Sequence, residues 1–227
     1  MSPTFTLVDA LALRDLQVYL SRAARVEEGS VRLIAGGGVL AVYVAVLYPI
    51  GLLDEIPTVL GLRTFSLSGQ DVIDTVVPVR SLLERVNRQV DAVEDESAPV
   101  TMSAPAGVNT VTWAAISPPR GGWVAHVPTV VGQLDSVARA GIDEVAAAVP
   151  TGTGQQIVQR VRAEVWGREI PGLEHVPGGG AFAAVALGFL GENPTEEVRI
   201  FETGPWTRLT TPRGHVLIKR RAWRLAP

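Results

Sequence analysis

Residues 33–53 read LIAGGGVLAVYVAVLYPIGLL, an uninterrupted run without a charged side chain. This length meets the requirement of about 20 apolar residues for a membrane-spanning helix. Glycines at positions 36–38 and the PIG sequence at 49–51 divide the run, however, and the β-branched residues between them favour strands. No cluster of Lys or Arg flanks either end. The run is therefore predicted to be a buried hairpin, and the protein to be soluble and cytoplasmic with no membrane partner.

The strand predicted at residues 39–48 is apolar on both faces. By alternation Leu40 and Val42 lie on one face, whereas Ala41 and Tyr43 lie on the other. Such a strand is central in its sheet, or one of its faces meets another surface. Two helices cover about one face of a four-stranded sheet, so the other face needs a second domain or a second copy of the chain. A homo-oligomer or a protein partner is therefore expected.

Outward from this hairpin, the sequence predicts an α+β protein of two domains. Residues 1–90 are predicted to form a helix, an antiparallel meander and a helix, and residues 108–227 a helical domain that ends in a small three-stranded antiparallel sheet. Residues 91–107 are acidic and rich in Ser and Pro, which is typical of a linker. Five helices are predicted: one at 11–26, one that follows Pro78, one at 129–149, one that ends near Trp166, and one at 181–190. Strands are predicted at 30–35, 39–48, 58–66, 72–77, 108–116, 198–202, 206–210 and 215–220.

The composition excludes several kinds of site. The chain has 227 residues, of which 47% are hydrophobic, and it has no cysteine. Disulfides, Fe–S clusters, thiolate zinc sites and cysteine nucleophiles are therefore excluded. The three histidines (His126, His175 and His215) are far apart in sequence and form no metal-binding motif. No metal site, cofactor or catalytic residue is predicted.

Positive charge is concentrated near the C-terminus. The net charge of the chain is −3, but residues 203–227 contain six cationic side chains and no carboxylate. This basic segment would contact nucleic acid or an acidic partner, or it would pair with the acidic surface of the same chain. The residues predicted to make such contacts are Arg208, Arg213, Lys219, Arg220 and Arg221.

Residues 117–123 (SPPRGGW) form the least generic loop. Prolines stiffen it and glycines permit a close approach, while Arg120 beside Trp123 would bind an anion or a stacked ring. The predicted ligand-binding residues are therefore Arg120, Gly121, Gly122 and Trp123. The alternative is a rigid connection in which Trp123 fills part of the core.

Two glycine-rich segments precede predicted helices, at residues 152–154 and 178–180. Neither follows a strand in the manner of a dinucleotide-binding fingerprint, and no Walker lysine is present. They are interpreted as ordinary helix starts.

The C-terminal part resembles a winged-helix module, which implies DNA contact through its hairpin and a recognition helix. The candidate recognition helix, GGGAFAAVALGFLG, is nearly all apolar and lacks side chains that contact bases or phosphates.

The segments SPPRGGW, RAEVWGR and TRLTTPRGHVL are similar to those of conserved hypothetical proteins of actinobacteria. This resemblance implies a GC-rich bacterial origin and two uncharacterised modules. The function predicted from the sequence is a non-enzymatic interaction or regulatory protein. Nucleic-acid binding through the basic C-terminal hairpin is one alternative, and a small-molecule binder or enzyme built on the SPPRGGW loop is another.

Overall fold

The computed structural model describes residues 3–26, 29–49, 56–108, 111–150 and 152–220. The chain divides into two compact units, and neither unit is one continuous segment. Unit 1 consists of Met1–Ala45 and Leu62–Ser117, and unit 2 consists of Val46–Gly61 and Pro118–Pro227. The linker at residues 91–107 stays a prediction, although Val100–Ser103 within it form a strand.

Unit 1 contains two helices and most of the first six strands. The third and fourth strands pass through both units, because they include residues on each side of the division. The elements are β1 (Thr4–Leu7), α1 (Ala10–Val26), β2 (Ser30–Gly36), β3 (Val39–Leu47), β4 (Thr58–Ser66), β5 (Ile73–Pro78), α2 (Val79–Ala92) and β6 (Val100–Ser103). Leu13, Leu16 and Leu20 recur at helical spacing on the buried face of α1, and Val31 and Leu33 of β2 are also fully buried.

Unit 2 contains three helices and the remaining strands. The elements are β7 (Val124–Val130), α3 (Val131–Ala148), α4 (Gln155–Gly167), β8 (Glu169–Ile170), β9 (Leu173–Pro177), α5 (Gly178–Ala186), β10 (Glu197–Thr203), β11 (Trp206–Thr211) and β12 (Gly214–Lys219). Residues Gly178, Gly179 and Gly180 begin α5 and are buried. A Cβ atom at Gly179 would lie 3.1 Å from the carbonyl oxygen of Trp166, so glycine permits a close approach of α5 to the end of α4.

The glycines of the apolar run form a tight hairpin, which explains why this run is not one helix. Gly37 and Gly38 have φ angles of 60° and 78°, and they connect the paired residues Gly36 and Val39 of β2 and β3. Two successive positive φ angles are typical of the type I′ turn that joins twisted antiparallel strands. Residues 50–53 of the run lie outside the described residues. No helix in the described part of the chain is long and apolar enough to cross a membrane.

The predicted meander in residues 1–90 is wrong. β5 pairs with β2, with Val77 opposite Val31, so the chain returns to the far edge of the hairpin instead of continuing beside β4. In addition, β1 precedes α1 and pairs with β6. The strands join an eight-stranded sheet in the order β5-β2-β3-β4-β12-β11-β10-β7, and its described pairings are antiparallel. Alternating apolar residues identify strands, but they do not determine which strands are neighbours.

The predicted small C-terminal sheet is also wrong. β10 to β12 do not form a separate three-stranded sheet, because β7 pairs with β10 and β12 lies next to β4 in the strand order. Residues Val124–Val130 therefore extend the sheet and directly precede α3, which begins at Val131. The strand expected at residues 108–116 is absent from the described part of that segment. It contains a 3-10 helix, Thr112–Ala115, in which Trp113 is buried.

Candidate functional site

The SPPRGGW loop brings Trp123 onto the sheet of unit 2. The indole Nε1 of Trp123 donates a hydrogen bond to the carbonyl oxygen of Pro119 at 3.1 Å, which closes the loop on itself. Gly122 has a φ angle of 76°, a conformation that residues with a side chain rarely adopt. The loop thereby fixes the indole directly before β7.

Trp123 stacks on an arginine that the sequence places far away. Cζ of Arg208, on β11, lies 4.4 Å from the centroid of the Trp123 ring. The same atom lies 4.7 Å from the centroid of the Phe201 ring, because Phe201 is the cross-strand partner of Arg208 on β10. Arg199 lies 5.9 Å from the Phe201 ring. We call Trp123, Arg199, Phe201 and Arg208 the arginine–aromatic cluster.

The surroundings of Arg208 are unfavourable for its charge. Burial lowers the pKa of the guanidinium, and the positive charge of Arg199 lowers it further. Nε of Arg208 is buried and has no hydrogen-bond partner among the described residues. Burial, Arg208 and Arg199 also lower the pKa of His215, whose Nδ1 lies 3.1 Å from Oγ1 of Thr210.

The strand registers place further cationic groups on the same face of β10, β11 and β12. Arg199 is opposite Thr210, which is opposite His215, and Lys219 is opposite Trp206. Since cross-strand partners share a face, all of these side chains belong to one side of the three strands. Among residues of these strands, this side carries one carboxylate, Glu197.

The other residues predicted as site residues are distributed differently. Arg120 and Gly121 are exposed, and no described contact joins Arg120 to the cluster. Arg213 pairs with Glu196 at 3.1 Å. Arg220 donates a hydrogen bond to the carbonyl oxygen of Gly204 at 2.8 Å. Arg221 lies outside the described residues. The structure thus unites Trp123 with Arg208, one residue from each predicted set.

A second polar site in unit 2 has no sequence motif. A cavity of about 260 Å³ lies beside His126, His175 and Glu202, which come from β7, β9 and β10. Nδ1 of His175 lies 2.8 Å from Oε1 of Glu202, and Nε2 of His126 lies 3.5 Å from Oε2. The φ angle of His175 is 63°, an uncommon conformation for a residue with a side chain. Among the described residues, no group of three or more His, Asp or Glu is suited to a metal ion.

Glu202 is the half-buried carboxylate of this second site. Burial raises the pKa of its carboxyl group, but the hydrogen bond and charge of His175, with the charge of Arg220 and the hydrogen bond from Thr207, outweigh this effect. The pKa of Glu202 therefore lies below its usual value. A lowered pKa in the folded state contributes stability above the ordinary pKa, and this contribution is lost as the pH falls through the lowered pKa.

Replacing Glu202 by glutamine is expected to lower the free energy of unfolding by about 1 kcal/mol at pH 7, because the negative charge that faces His175 and Arg220 is lost and the two hydrogen bonds to Oε1 become bonds to a neutral amide. The difference between the two proteins should shrink as the pH falls below the ordinary carboxyl pKa of 4.5 and through the lowered pKa of Glu202, because protonation removes the same charge from the wild type. Urea unfolding at pH 7 and pH 3.5 measures both quantities. Glu197→Gln, an exposed residue on the same strand, serves as the control. A Glu202→Gln effect that is independent of pH would contradict this assignment.

Unit 1 presents a basic helical surface. The exposed residues of α1 lie on one stripe, and α1 packs beside α2, as shown by a 2.9 Å hydrogen bond from Gln17 to Asn87. Arg22 and Arg25 have no ion pair among the described residues, whereas Arg14 pairs with Glu96 at 2.6 Å. The exposed stripe of α1 consists of Leu11, Arg14, Val18, Arg22 and Arg25. We call these residues the α1 stripe; α2 adds exposed Arg80 and Arg88 together with Glu84 and Asp91.

Two family models match the chain, each over slightly less than half of it. A domain of unknown function (DUF8010) matches residues 1–107, and another (DUF8185) matches residues 118–223. These matches agree with the expectation of uncharacterised modules, while an actinobacterial origin stays a prediction. No curated protein sequence matches the chain.

The fold resembles that of DNA polymerase sliding clamps. The sliding clamp from Caulobacter crescentus has a TM-score of 0.54 at 14% identity, covering 99% of this chain and 67% of that chain. A structure of Caulobacter crescentus pol III beta has a TM-score of 0.51 at 12% identity, covering 98% and 66%. The DNA polymerase III subunit beta from Pseudomonas aeruginosa has a TM-score of 0.50 at 16% identity, covering 99% and 66%. This chain therefore spans about two thirds of the length of these structures.

This likeness overturns the functional prediction made from the sequence. That prediction was a non-enzymatic interaction or regulatory protein, with nucleic-acid binding through the C-terminal hairpin and a small-molecule binder or enzyme built on the SPPRGGW loop as alternatives, whereas the similar solved structures are described as a DNA polymerase sliding clamp and beta subunits of DNA polymerase III. The same likeness overturns the predicted fold class, an α+β protein with a helix–meander–helix domain followed by a helical domain that ends in a small antiparallel sheet.

Proposed function

We propose that this chain is a sliding-clamp-type protein that binds duplex DNA through the helix surface of unit 1 and serves there as a platform for protein partners. The observation that carries the proposal is the similar fold, which extends over 99% of the chain in structures described as a DNA polymerase sliding clamp and a DNA polymerase III subunit beta. The proposal transfers the DNA association named in those descriptions to this chain, and the charge of unit 1 supports the transfer.

The α1 stripe suits contacts with a phosphate backbone. It contains three arginines and no carboxylate, although the chain as a whole has a net charge of −3. Arginines on a rigid helix neutralise phosphates without reading bases. Such contacts permit movement along DNA, which a sliding protein requires. The exposed faces of α3 and α4 in unit 2 are less basic, with Asp143, Glu144 and Glu164 among their exposed residues.

The expected affinity of one chain is low and depends strongly on salt. Each phosphate contact contributes a slope of about −0.9 to the dependence of log K on log salt concentration. Arg22, Arg25 and Arg88 provide at most a few contacts, and Glu84 and Asp91 on α2 weaken the local potential. We therefore expect binding to duplex DNA at low salt and little binding at physiological salt.

Replacing both Arg22 and Arg25 by glutamine tests this function. The double variant should reduce the magnitude of the salt slope by about 1.8, because two phosphate contacts are lost. Fluorescence anisotropy with a labelled 30-base-pair duplex at several salt concentrations measures the slope. The matched control replaces Arg160 and Arg162 of α4 by glutamine, which keeps the net charge of the two variants equal. A wild type that does not bind at 25 mM salt, or an equal loss in the control, would rule out the α1 stripe as the DNA contact.

We also propose that the chain forms a homo-oligomer through the edge strand β7. This strand lies at the end of the strand order, and its exposed residues include Val124 and Val127, of which Val127 is 84% exposed. An exposed apolar edge strand favours pairing with another strand. Light scattering by the full chain measures the oligomeric state.

A clamp role also requires that the protein be in the compartment that holds the DNA. This requirement agrees with the cytoplasmic location expected from the sequence.

A further inference from the structure

We propose that the arginine–aromatic cluster is a docking site for a short acidic segment of a partner protein, whose carboxylates bind Arg208 and Arg199. This inference concerns the sheet of unit 2 and does not depend on the α1 stripe. It goes beyond DNA binding because it assigns a chemical class of protein partner to a defined surface.

The first observation is that Arg208 has aromatic neighbours but no carboxylate partner within the part of the chain that the structure describes. Other arginines in unit 2 form ion pairs with carboxylates, such as Arg213 with Glu196 and Arg168 with Glu144. Arg208 instead lies over two rings, and within the described residues it has no ion pair and its Nε has no hydrogen bond. A guanidinium that is partly removed from water without an opposite charge is unfavourable, and an incoming carboxylate would supply that charge at its terminal nitrogens.

The second observation is that the rings hold the guanidinium in place. Trp123 and Phe201 lie 4.4 and 4.7 Å from Cζ of Arg208, and Trp123 is itself tied to Pro119 by a hydrogen bond. A planar guanidinium binds a carboxylate through two parallel hydrogen bonds. Because the side chain is already ordered, binding loses less conformational entropy than it would at a free arginine.

The third observation is the mutual repulsion of the cationic groups. Burial is the main cause of the lowered pKa of Arg208, and the charge of Arg199 lowers it further. Both arginines also lower the pKa of His215 on the same side of the sheet. Lys219 adds a fourth basic group there, against the single carboxylate of Glu197. An anionic ligand would relieve this repulsion. The surface is therefore complementary in charge to an acidic partner.

The aromatic rings favour an acidic peptide over single-stranded nucleic acid. Proteins that bind single strands use aromatic faces on which bases stack. Here Arg208 occupies one face of the Trp123 ring and one face of the Phe201 ring, and Arg199 lies near Phe201 as well. The rings therefore serve to position the arginines. A carboxylate needs only the guanidinium groups and fits this arrangement.

A labelled twelve-residue peptide of alternating glutamate and serine, measured by fluorescence anisotropy with the full chain at 50 mM salt, tests the proposal. The wild type should bind it, and the peptide in which glutamine replaces every glutamate should not bind. Arg208→Gln should weaken binding at least tenfold. Arg208→Lys, which keeps the charge but loses the paired hydrogen bonds, should weaken it severalfold. The matched control, Arg213→Gln, removes an equal charge from the neighbouring turn and should change binding by less than twofold.

Circular dichroism establishes whether each variant is folded. If Arg208→Gln does not fold, Arg199→Gln takes its place, since Arg199 is exposed and its loss should weaken binding about threefold to tenfold. Equal losses in Arg213→Gln and the cluster variants would overturn the proposal in favour of general charge attraction. Binding of an oligothymidine strand that depends on Arg208, in the absence of peptide binding, would overturn it in favour of nucleic acid.

Discussion

Replacing Gly141 by alanine is expected to lower the free energy of unfolding by about 2 to 3 kcal/mol. Gly141 lies in α3 against Trp166 of α4, and a Cβ atom at this position would overlap Cζ3 and lie 2.6 Å from Cη2 of the indole. The ring cannot move away easily, because its other neighbour is Phe182 of α5, with the ring centroids 4.5 Å apart. The substitution therefore forces apart helices that pack closely in unit 2.

The sign of this result distinguishes packing from helix propensity. Alanine in a helix is normally more stable than glycine by about 1 kcal/mol, so propensity alone predicts a gain. Gly167→Ala, at the end of α4 with no atom within 4 Å of the added Cβ, is the matched control and should be neutral or stabilising. Urea unfolding followed by far-UV circular dichroism measures both variants. A Gly141→Ala protein as stable as the wild type would mean that the indole has room to move.

The largest loss is expected from replacing Phe189 by alanine, about 3 to 5 kcal/mol. Phe189 is 1% exposed, and a Cβ atom at Gly214 would lie 2.7 Å from Cδ1 of its ring. Its carbonyl oxygen accepts a hydrogen bond of 2.8 Å from Oγ1 of Thr211. Phe189 thereby joins the segment after α5 to the hairpin of β11 and β12. Deleting the ring leaves a cavity beside the turn between β11 and β12.

Thermal and urea unfolding of Phe189→Ala measure this loss. Ile157→Ala, which removes an apolar side chain that is 57% exposed on α4, should change the free energy of unfolding by less than about 0.5 kcal/mol. If the two substitutions had similar effects, Phe189 would not be the packing centre of this hairpin. A cooperative but strongly destabilised Phe189→Ala protein is the expected result.

The sequence predicted local structure better than strand order. Gly37 and Gly38 indicate the hairpin turn because their conformation is determined by the residues themselves. The pairing of β5 with β2 depends instead on which strand of the sheet has a free edge when β5 forms. The residues of β5 do not specify that neighbour. For the same reason no strand was predicted at Val124–Val130, although this segment pairs with β10; its last two residues were instead predicted to begin a helix at 129.

The candidate sites likewise combine residues that were recognisable in the sequence with contacts that were not. Trp123 was recognisable because a tryptophan follows two glycines in a stiff loop, but the sequence suggested Arg120 as its partner. The actual partner, Arg208, is determined by the register between β10 and β11. The cavity beside His126, His175 and Glu202 had no detectable signal, since its residues come from three strands that are far apart in the sequence. Arg22 and Arg25 were visible on the polar side of a predicted helix, where surface arginines usually have no specific role.

The division of unit 2 into two chain segments has a consequence for the order of folding during translation. Val46, Leu47, Val59 and Leu60 are buried residues of unit 2, yet the ribosome makes them before any part of Pro118–Pro227. At typical synthesis rates, roughly 10 to 30 s separate these residues from the end of β12. During that interval β4 lacks its neighbour β12, so the nascent chain presents an apolar strand edge to chaperones or to neighbouring chains. Unit 1 can fold early, whereas unit 2 must wait for its last hairpin.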